Sequence, residues 1–157
     1  AGAAAVQLFD TWAGELSAAD YREFALPATQ LLIEELRATP APIILYTKAS
    51  GHFIEHAAES GADVLSVDWR VDLRELRSRL GPRIALQGNV DPCVLLGNTP
   101  GIARAARDAV DATAGKGHIL NLGHGILPTT PVENAQAFIR AGQSWRLAAE
   151  AAARPAG

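Results

Sequence analysis

Short apolar runs alternate with longer amphipathic stretches along the whole chain, five times over, and this alternation restricts the fold more than any other feature. The apolar runs are Ala4 to Phe9, Ile43 to Tyr46, Val64 to Val67, Ile84 to Gln87 and His118 to Leu122. Each is short, rich in strand-forming residues and bounded by turn signals, so each reads as a β-strand. The stretches between them carry helix signals. Ser17 is an N-cap, with Asp20 placed as in a capping box. From Ala18 to Arg37, Tyr21, Phe24, Leu31, Leu32 and Leu36 recur at helical spacing, and Pro27 is expected to kink or split that helix. Gly51 to Ser60 reads as a short helix with Gly61 at C′. Asp72 to Leu80 reads as a helix closed by Gly81-Pro82. Thr99-Pro100 opens another, through Ala114, and a last one runs from near Pro131 to about Ala153. The Ala- and Arg-rich tail ending at Gly157 is expected to fray.

Strands this apolar, each followed by a helix, call for a parallel sheet covered by helices. Two α/β architectures satisfy the pattern. Five βα units make a complete doubly wound domain, or about five-eighths of a (β/α)8 TIM barrel. Periodicity alone leaves both open. With 157 residues, 48% hydrophobic and 20% charged, the chain is of ordinary globular make-up and long enough to bury a core.

Charge narrows the partners. The 14 basic and 17 acidic side chains give a net charge of −3, so nothing draws the chain to nucleic acid or an anionic membrane. No apolar run has membrane-spanning length. The opening Ala1-Gly2-Ala3-Ala4-Ala5-Val6 lacks the basic start of a secretory signal. A single cysteine, Cys93, forms no internal disulfide and suits a reducing, cytoplasmic setting. The chain contains no methionine and opens directly in an apolar run, so it is expected to be part of a larger domain.

The unusual polar residues gather just after the apolar runs. They are Asp10 and Thr11, then Lys48, then Asp68, Trp69 and Arg70, then Gln87, Asn89 and Asp91, then Asn121 and His124. Taken singly, each has a plain explanation as a helix cap or turn residue. As a set they point to a site, because the C-terminal strand ends of a parallel α/β fold converge on one face. Gly123-His124-Gly125 is the sharpest feature. Glycines on both sides allow a tight turn and a close approach to a ligand. A neutral imidazole there hydrogen-bonds a ligand, whereas a charged one pairs with a carboxylate. In Gln87-Gly88-Asn89-Val90-Asp91-Pro92, Asp91 reads equally well as an N-cap with Pro92 at N1, which leaves Gln87 and Asn89 as the pocket candidates. Asp68 is either an acid–base group or a cap.

Several chemistries lack their residues. There is no Cys/His spacing for structural zinc, and the His52/His56 pair is not followed by the glutamate of a zinc protease. No phosphate loop, dinucleotide fingerprint or serine elbow is present. Cys93 sits at a helix start, where thiolates are favoured, but beside Val94, Leu95 and Leu96 it reads as core.

Four segments, in order, resemble the uroporphyrinogen decarboxylase family. They are Gln7-Leu8-Phe9-Asp10-Thr11-Trp12-Ala13-Gly14, Asp68-Trp69, Leu86-Gln87-Gly88-Asn89-Val90-Asp91-Pro92, and Asn121-Leu122-Gly123-His124-Gly125-Ile126-Leu127-Pro128. Pro131-Val132-Glu133-Asn134 also fits the family's ending. The resemblance implies the C-terminal portion of a (β/α)8 barrel, commonly a homodimer. It also implies decarboxylation of the four acetates of uroporphyrinogen III to give coproporphyrinogen III, with no metal or other cofactor. Thr11 matches a substrate-contacting hydroxyl, His124 the substrate-binding histidine, and Phe9 an apolar residue lining the cleft. Gln87 and Asn89 are weaker substrate-binding candidates. The family's arginine-rich loop, its principal aspartate and a tyrosine match nothing in this chain and are expected upstream, so neither Asp68 nor Asp91 inherits that aspartate's role. Two other readings stand beside this one. A related methyltransferase acting with corrinoid proteins would need zinc ligands, which a single cysteine does not favour. A non-catalytic half-barrel would be a binding or assembly module.

Overall fold

The structure, a computed structural model, describes residues 2–152, with side chains to residue 145. The frayed tail expected after Ala153 lies outside the described residues. Five parallel strands form one sheet: β1 (Val6–Asp10), β2 (Ile43–Thr47), β3 (Val64–Ser66), β4 (Ala85–Val90) and β5 (His118–Leu122). Their order in space is their order in sequence.

That order decides between the two architectures. A doubly wound sheet reverses its winding at a switch point, and this one does not. Right-handed crossovers taken always in the same direction put every helix on one face and curl the other face inward. The curl is visible in the side chains. Gln87 Nε2 on β4 donates to Gln7 Oε1 on β1 at 3.2 Å. In a flat sheet those strands would stand three spacings, about 14 Å, apart with side chains parallel. The fold is therefore a segment of a (β/α) barrel.

The main core lies between the sheet's convex face and the helices. Ile43, Leu45, Leu65, Val67, Leu86 and Val90 point outward and are buried. They pack with Leu26 and Ile33 of α2 (Leu26–Leu36), Ile54 of α3 (Ile54–Ala58), Leu73 and Leu76 of α4 (Leu73–Leu80), and Ile102 and Ala106 of α5 (Thr99–Ala112). Each such aliphatic side chain removed from water contributes about 1.5–3 kcal/mol. The last helix, α6 (Val132–Ala152), adds Ala137 and Phe138. Among the described residues no helix is long and apolar enough to cross a membrane.

Local chemistry accounts for most element boundaries. Ser17 Oγ accepts from the Asp20 amide and opens α1 (Ala18–Asp20). Asp72 accepts from the amides of Arg74 and Glu75 at the start of α4, and Asn98 caps α5. Pro27 does not split its helix: the helical run continues unbroken from Ala18 to Leu36. A π-helical turn, Tyr21–Ala25, widens the backbone just ahead of it, so the missing N–H and the ring are accommodated in the first turn of α2. Helix 51–60 is shorter than its pattern implied: a 3-10 turn at Ser50–His52 precedes α3, and Gly61 lies two residues beyond the cap at Glu59. Ala4 and Ala5 precede β1 rather than joining it. Cys93, expected in the core, is exposed, because the segment after β4 is a 3-10 turn (Pro92–Leu96) that buries Pro92 and Leu95 instead.

At the end of the sheet where β4 and β5 begin, one side chain ties the strands together. Arg77 Nη1 donates to the carbonyls of Gly81 and Ile84, and Nη2 to that of Gly117, each at 2.8 Å. Arg77→Ala is expected to lower stability by about 3 kcal/mol, because several charge-assisted bonds go at once. Arg77→Lys should not restore it, since one ammonium cannot bridge the carbonyls of Gly81, Ile84 and Gly117 at once. Urea midpoints at constant slope measure both. Nearby, His118 Nε2 donates to the Gly88 carbonyl at 2.7 Å, while Nδ1 is buried without a partner. Burial, opposed by that hydrogen bond and aided by the charge on Arg77, pushes the imidazole below its usual 6.5. Folding thus favours the neutral ring. Its contribution is complete above pH 6.5 and is lost as pH falls through the lowered value. His118→Gln should flatten that part of the stability–pH curve.

Candidate functional site

The concave face carries a different set of side chains from the convex one. Gln7, Phe9, Tyr46, Ser66, Gln87 and Asn121 alternate with the outward core residues along their strands. Toward the C-terminal strand ends this face opens into a cavity of about 550 Å3. Its wall is built from β1 and its exit (Gln7, Phe9, Thr11), β2 (Tyr46), β3 (Ser66), and β5 and its exit (Asn121, Leu122, His124, Gly125, Ile126). Apolar and hydrogen-bonding groups are mixed there, as suits a ligand with an organic body and polar substituents.

Each exit segment is held rigid. After β1, Asp10 Oδ1 accepts from the amides of Trp12 and Ala13, a tight turn that carries Thr11 at its start. After β3, Asp68 is fully buried, and its carboxylate accepts from the amides of Ala49 and Arg70 and from Arg70 Nη1 at 2.7 Å. Asp68 therefore ties the exit of β2 to the exit of β3 and is committed there. It does not cap α4, a job done by Asp72. The Arg70 guanidinium lies 4.5 Å over the Trp69 ring, and Trp69 meets His124 edge to face at 6.5 Å.

After β5, the Gly123 amide donates to the Val90 carbonyl. A Cβ on Gly123 would stand 2.6 Å from the Trp69 nitrogen and 3.0 Å from Asp68 backbone atoms. Neither Gly123 nor Gly125 adopts a left-handed backbone. The first glycine is needed for close packing against the neighbouring exit loop rather than for a turn, and nothing lies within 4 Å of a Cβ on the second.

Three of the sequence candidates, Phe9, Thr11 and His124, meet at this cavity. Gln87 lies beneath it, 4% exposed, with its amide on Ser66 Oγ and Gln7 Oε1. Asn89 is not brought to the cavity. Its amide donates to the carbonyls of Asp68 and Val71 and supports the loop between them. Asp91 is the N-cap that its plain reading implied, accepting from the Cys93 amide.

Tyr46 was hidden inside an apolar run. Its ring lies 5.8 Å from Phe9 and 6.4 Å from His124, and its hydroxyl donates to the Gly123 carbonyl at 3.1 Å. Burial, with the negative charge of Asp68 and against the positive charge of Arg70, pushes its phenol up to about 12. The signal available in the sequence was its place as the last inward residue of β2, level with Phe9 in register. A second groove, of about 580 Å3, lies outside the sheet beside Arg70, Asn89 and Asp108, and β4 alone among the strands reaches it. Among the described residues no group of three or more His, Cys, Asp or Glu side chains is placed to hold a metal ion.

Gly123→Ala should cost about 1–3 kcal/mol in stability, because backbone atoms on the facing loop cannot yield to the added methyl. Gly125→Ala should leave the thermal midpoint unchanged. Equal effects from the two would mean that Gly123 is not packed as described.

Comparison with known proteins bears on the family and the fold. The sequence profile of the family described as "Uroporphyrinogen decarboxylase (URO-D)" matches residues 1–145. A uroporphyrinogen decarboxylase of Gloeobacter violaceus is 53% identical over 139 residues, covering 87% of this chain and 40% of the relative. A chloroplastic uroporphyrinogen decarboxylase of Zea mays is 47% identical over 147 residues, covering 92% of this chain and 37% of the relative. The chain thus spans about two-fifths of the length of the curated relatives it matches. A solved methyltransferase from Methanosarcina mazei shares the fold, with a TM-score of 0.77 at 24% identity over 90% of this chain and 42% of that one. With a profile match across nearly all its length, the chain belongs to the uroporphyrinogen decarboxylase family.

Proposed function

We propose that this chain forms the C-terminal five βα units of a barrel that decarboxylates the four acetates of uroporphyrinogen III to methyls, yielding coproporphyrinogen III. The observation that carries the reading is the meeting of Phe9, Thr11 and His124, from opposite ends of the sequence, on one cavity at the strand mouths. The names of the relatives supply the substrate.

The chemistry needs no electron sink beyond the substrate. Protonating a pyrrole α-carbon makes the ring cationic. The acetate C–C bond then breaks, its electron pair flows into the ring, and carbon dioxide leaves. A proton added at the exocyclic carbon completes the methyl group, and loss of the ring proton restores the pyrrole. A barrel wall lowers that barrier by holding the ring against apolar surface and fixing its carboxylates with preorganised donors. Phe9, Leu122 and Ile126 offer the apolar surface, and Thr11 and His124 the donors. The anionic group beneath the ring and the arginines that grip the carboxylates belong, in this reading, to the preceding part of the barrel. The working protein is then a homodimer in the cytoplasm, and the single cysteine suits that compartment.

A chimera tests this. The matching segment of the Gloeobacter violaceus relative is replaced by this chain, and coproporphyrinogen formation is followed. Product is expected, and His124→Ala in the chimera should lower kcat/KM about tenfold, the loss of one hydrogen bond to a charged group. A folded chimera that makes no product, or a His124→Ala variant with unchanged kinetics, overturns the proposal.

A further inference from the structure

We propose that Tyr46 is the positioning residue for His124: its phenol grips the Gly123 carbonyl and so sets where the imidazole stands across the cavity from Phe9 and Thr11. The consequence for catalysis rests on the reading above; the structural claim does not.

Tyr46 is 5% exposed, and its hydroxyl makes a buried bond to a residue 77 positions away. That bond joins a regular strand to an exit loop. The Gly123 carbonyl and the His124 nitrogen belong to one planar peptide unit, so fixing the carbonyl fixes the orientation of the plane from which His124 departs. The other constraints on Gly123 do not do this. Its amide bond to Val90 fixes the preceding peptide plane, and its contact with Trp69 and Asp68 limits translation. Rotation of the plane carrying His124 is left to Tyr46. The Tyr46 and Trp69 rings also meet the imidazole, at 6.4 and 6.5 Å. His124 is itself exposed, so little else confines it. A phenol pushed up to about 12 remains a hydrogen-bond donor at any physiological pH.

Tyr46→Phe removes the hydroxyl alone and keeps the ring contacts. In this chain, histidine ring Cε1–Hε1 resonances read the imidazoles directly, and the chain has four. The His124 resonance is expected to move in Tyr46→Phe, while those of His52, His56 and His118 stay in place. An unmoved His124 overturns the proposal whether or not the decarboxylase reading holds. In the chimera, Tyr46→Phe should lower kcat/KM about fivefold, mainly through KM, as one neutral hydrogen bond is lost. On the His124→Ala background the same change should have no further effect, because Tyr46 acts through the imidazole. Additive losses would mean that it acts by another route and would also overturn the proposal.

Discussion

One-way parallel pairing is the constraint on which the rest of the molecule depends. Five strands added in sequence order, each by a right-handed crossover, give a sheet whose two faces have different fates. The convex face receives every helix and becomes a dry aliphatic layer. The concave face receives none and carries most of the polar strand side chains, whereas on the convex face Thr47 and His118 interrupt an otherwise aliphatic layer. Ser66 and Gln87, buried on the concave side, are satisfied by one another and by Gln7 rather than by solvent. Among the described residues the helices contribute no side chain to the cavity. They hold the strands in register, and the strand ends hold the site.

Rigidity at the strand exits comes from bonds between neighbouring loops as well as from turns within them, such as the one Asp10 closes. Asp68 ties the β2 exit to the β3 exit, Asn89 ties β4 to the β3 exit, and the Gly123 amide ties the β5 exit to Val90. The result is a chain of supports running around the rim, each polar group passing its constraint to the next exit. Several residues that look chemically active in the sequence are spent on this scaffold. The fully buried Asp68 is the clearest case, since both of its carboxylate oxygens are occupied by donors from the chain itself.

How much of this could be read from the sequence depended on how local the cause was. The five strands, the cap at Ser17 and the helix entry at Thr99-Pro100 follow from neighbouring residues and are legible, whereas the cap of α4 is Asp72 rather than Asp68. The family's motifs single out Thr11, Phe9 and His124, and all three line the cavity. Tyr46 is not singled out, because a tyrosine among aliphatic neighbours in a strand reads as packing until strand register places it beside Phe9. Asn89 and Gln87 looked alike at the end of β4, yet one supports a loop and the other lies under the cavity. Only the neighbouring strand's exit distinguishes them. Pro27 shows the same limit in a helix, where a widened turn absorbed the ring instead of the break that local rules imply. Cys93 was misjudged because its apolar neighbours suggested a helix where the chain makes a tighter turn with a different buried side.

The amide bridge between Gln7 and Gln87 has a geometric meaning beyond its modest strength. It is a chord drawn across an arc, and it marks how far the sheet has already bent. Strand number and stagger set the radius of a closed barrel. Any further strands completing the ring would therefore join five that already follow an arc.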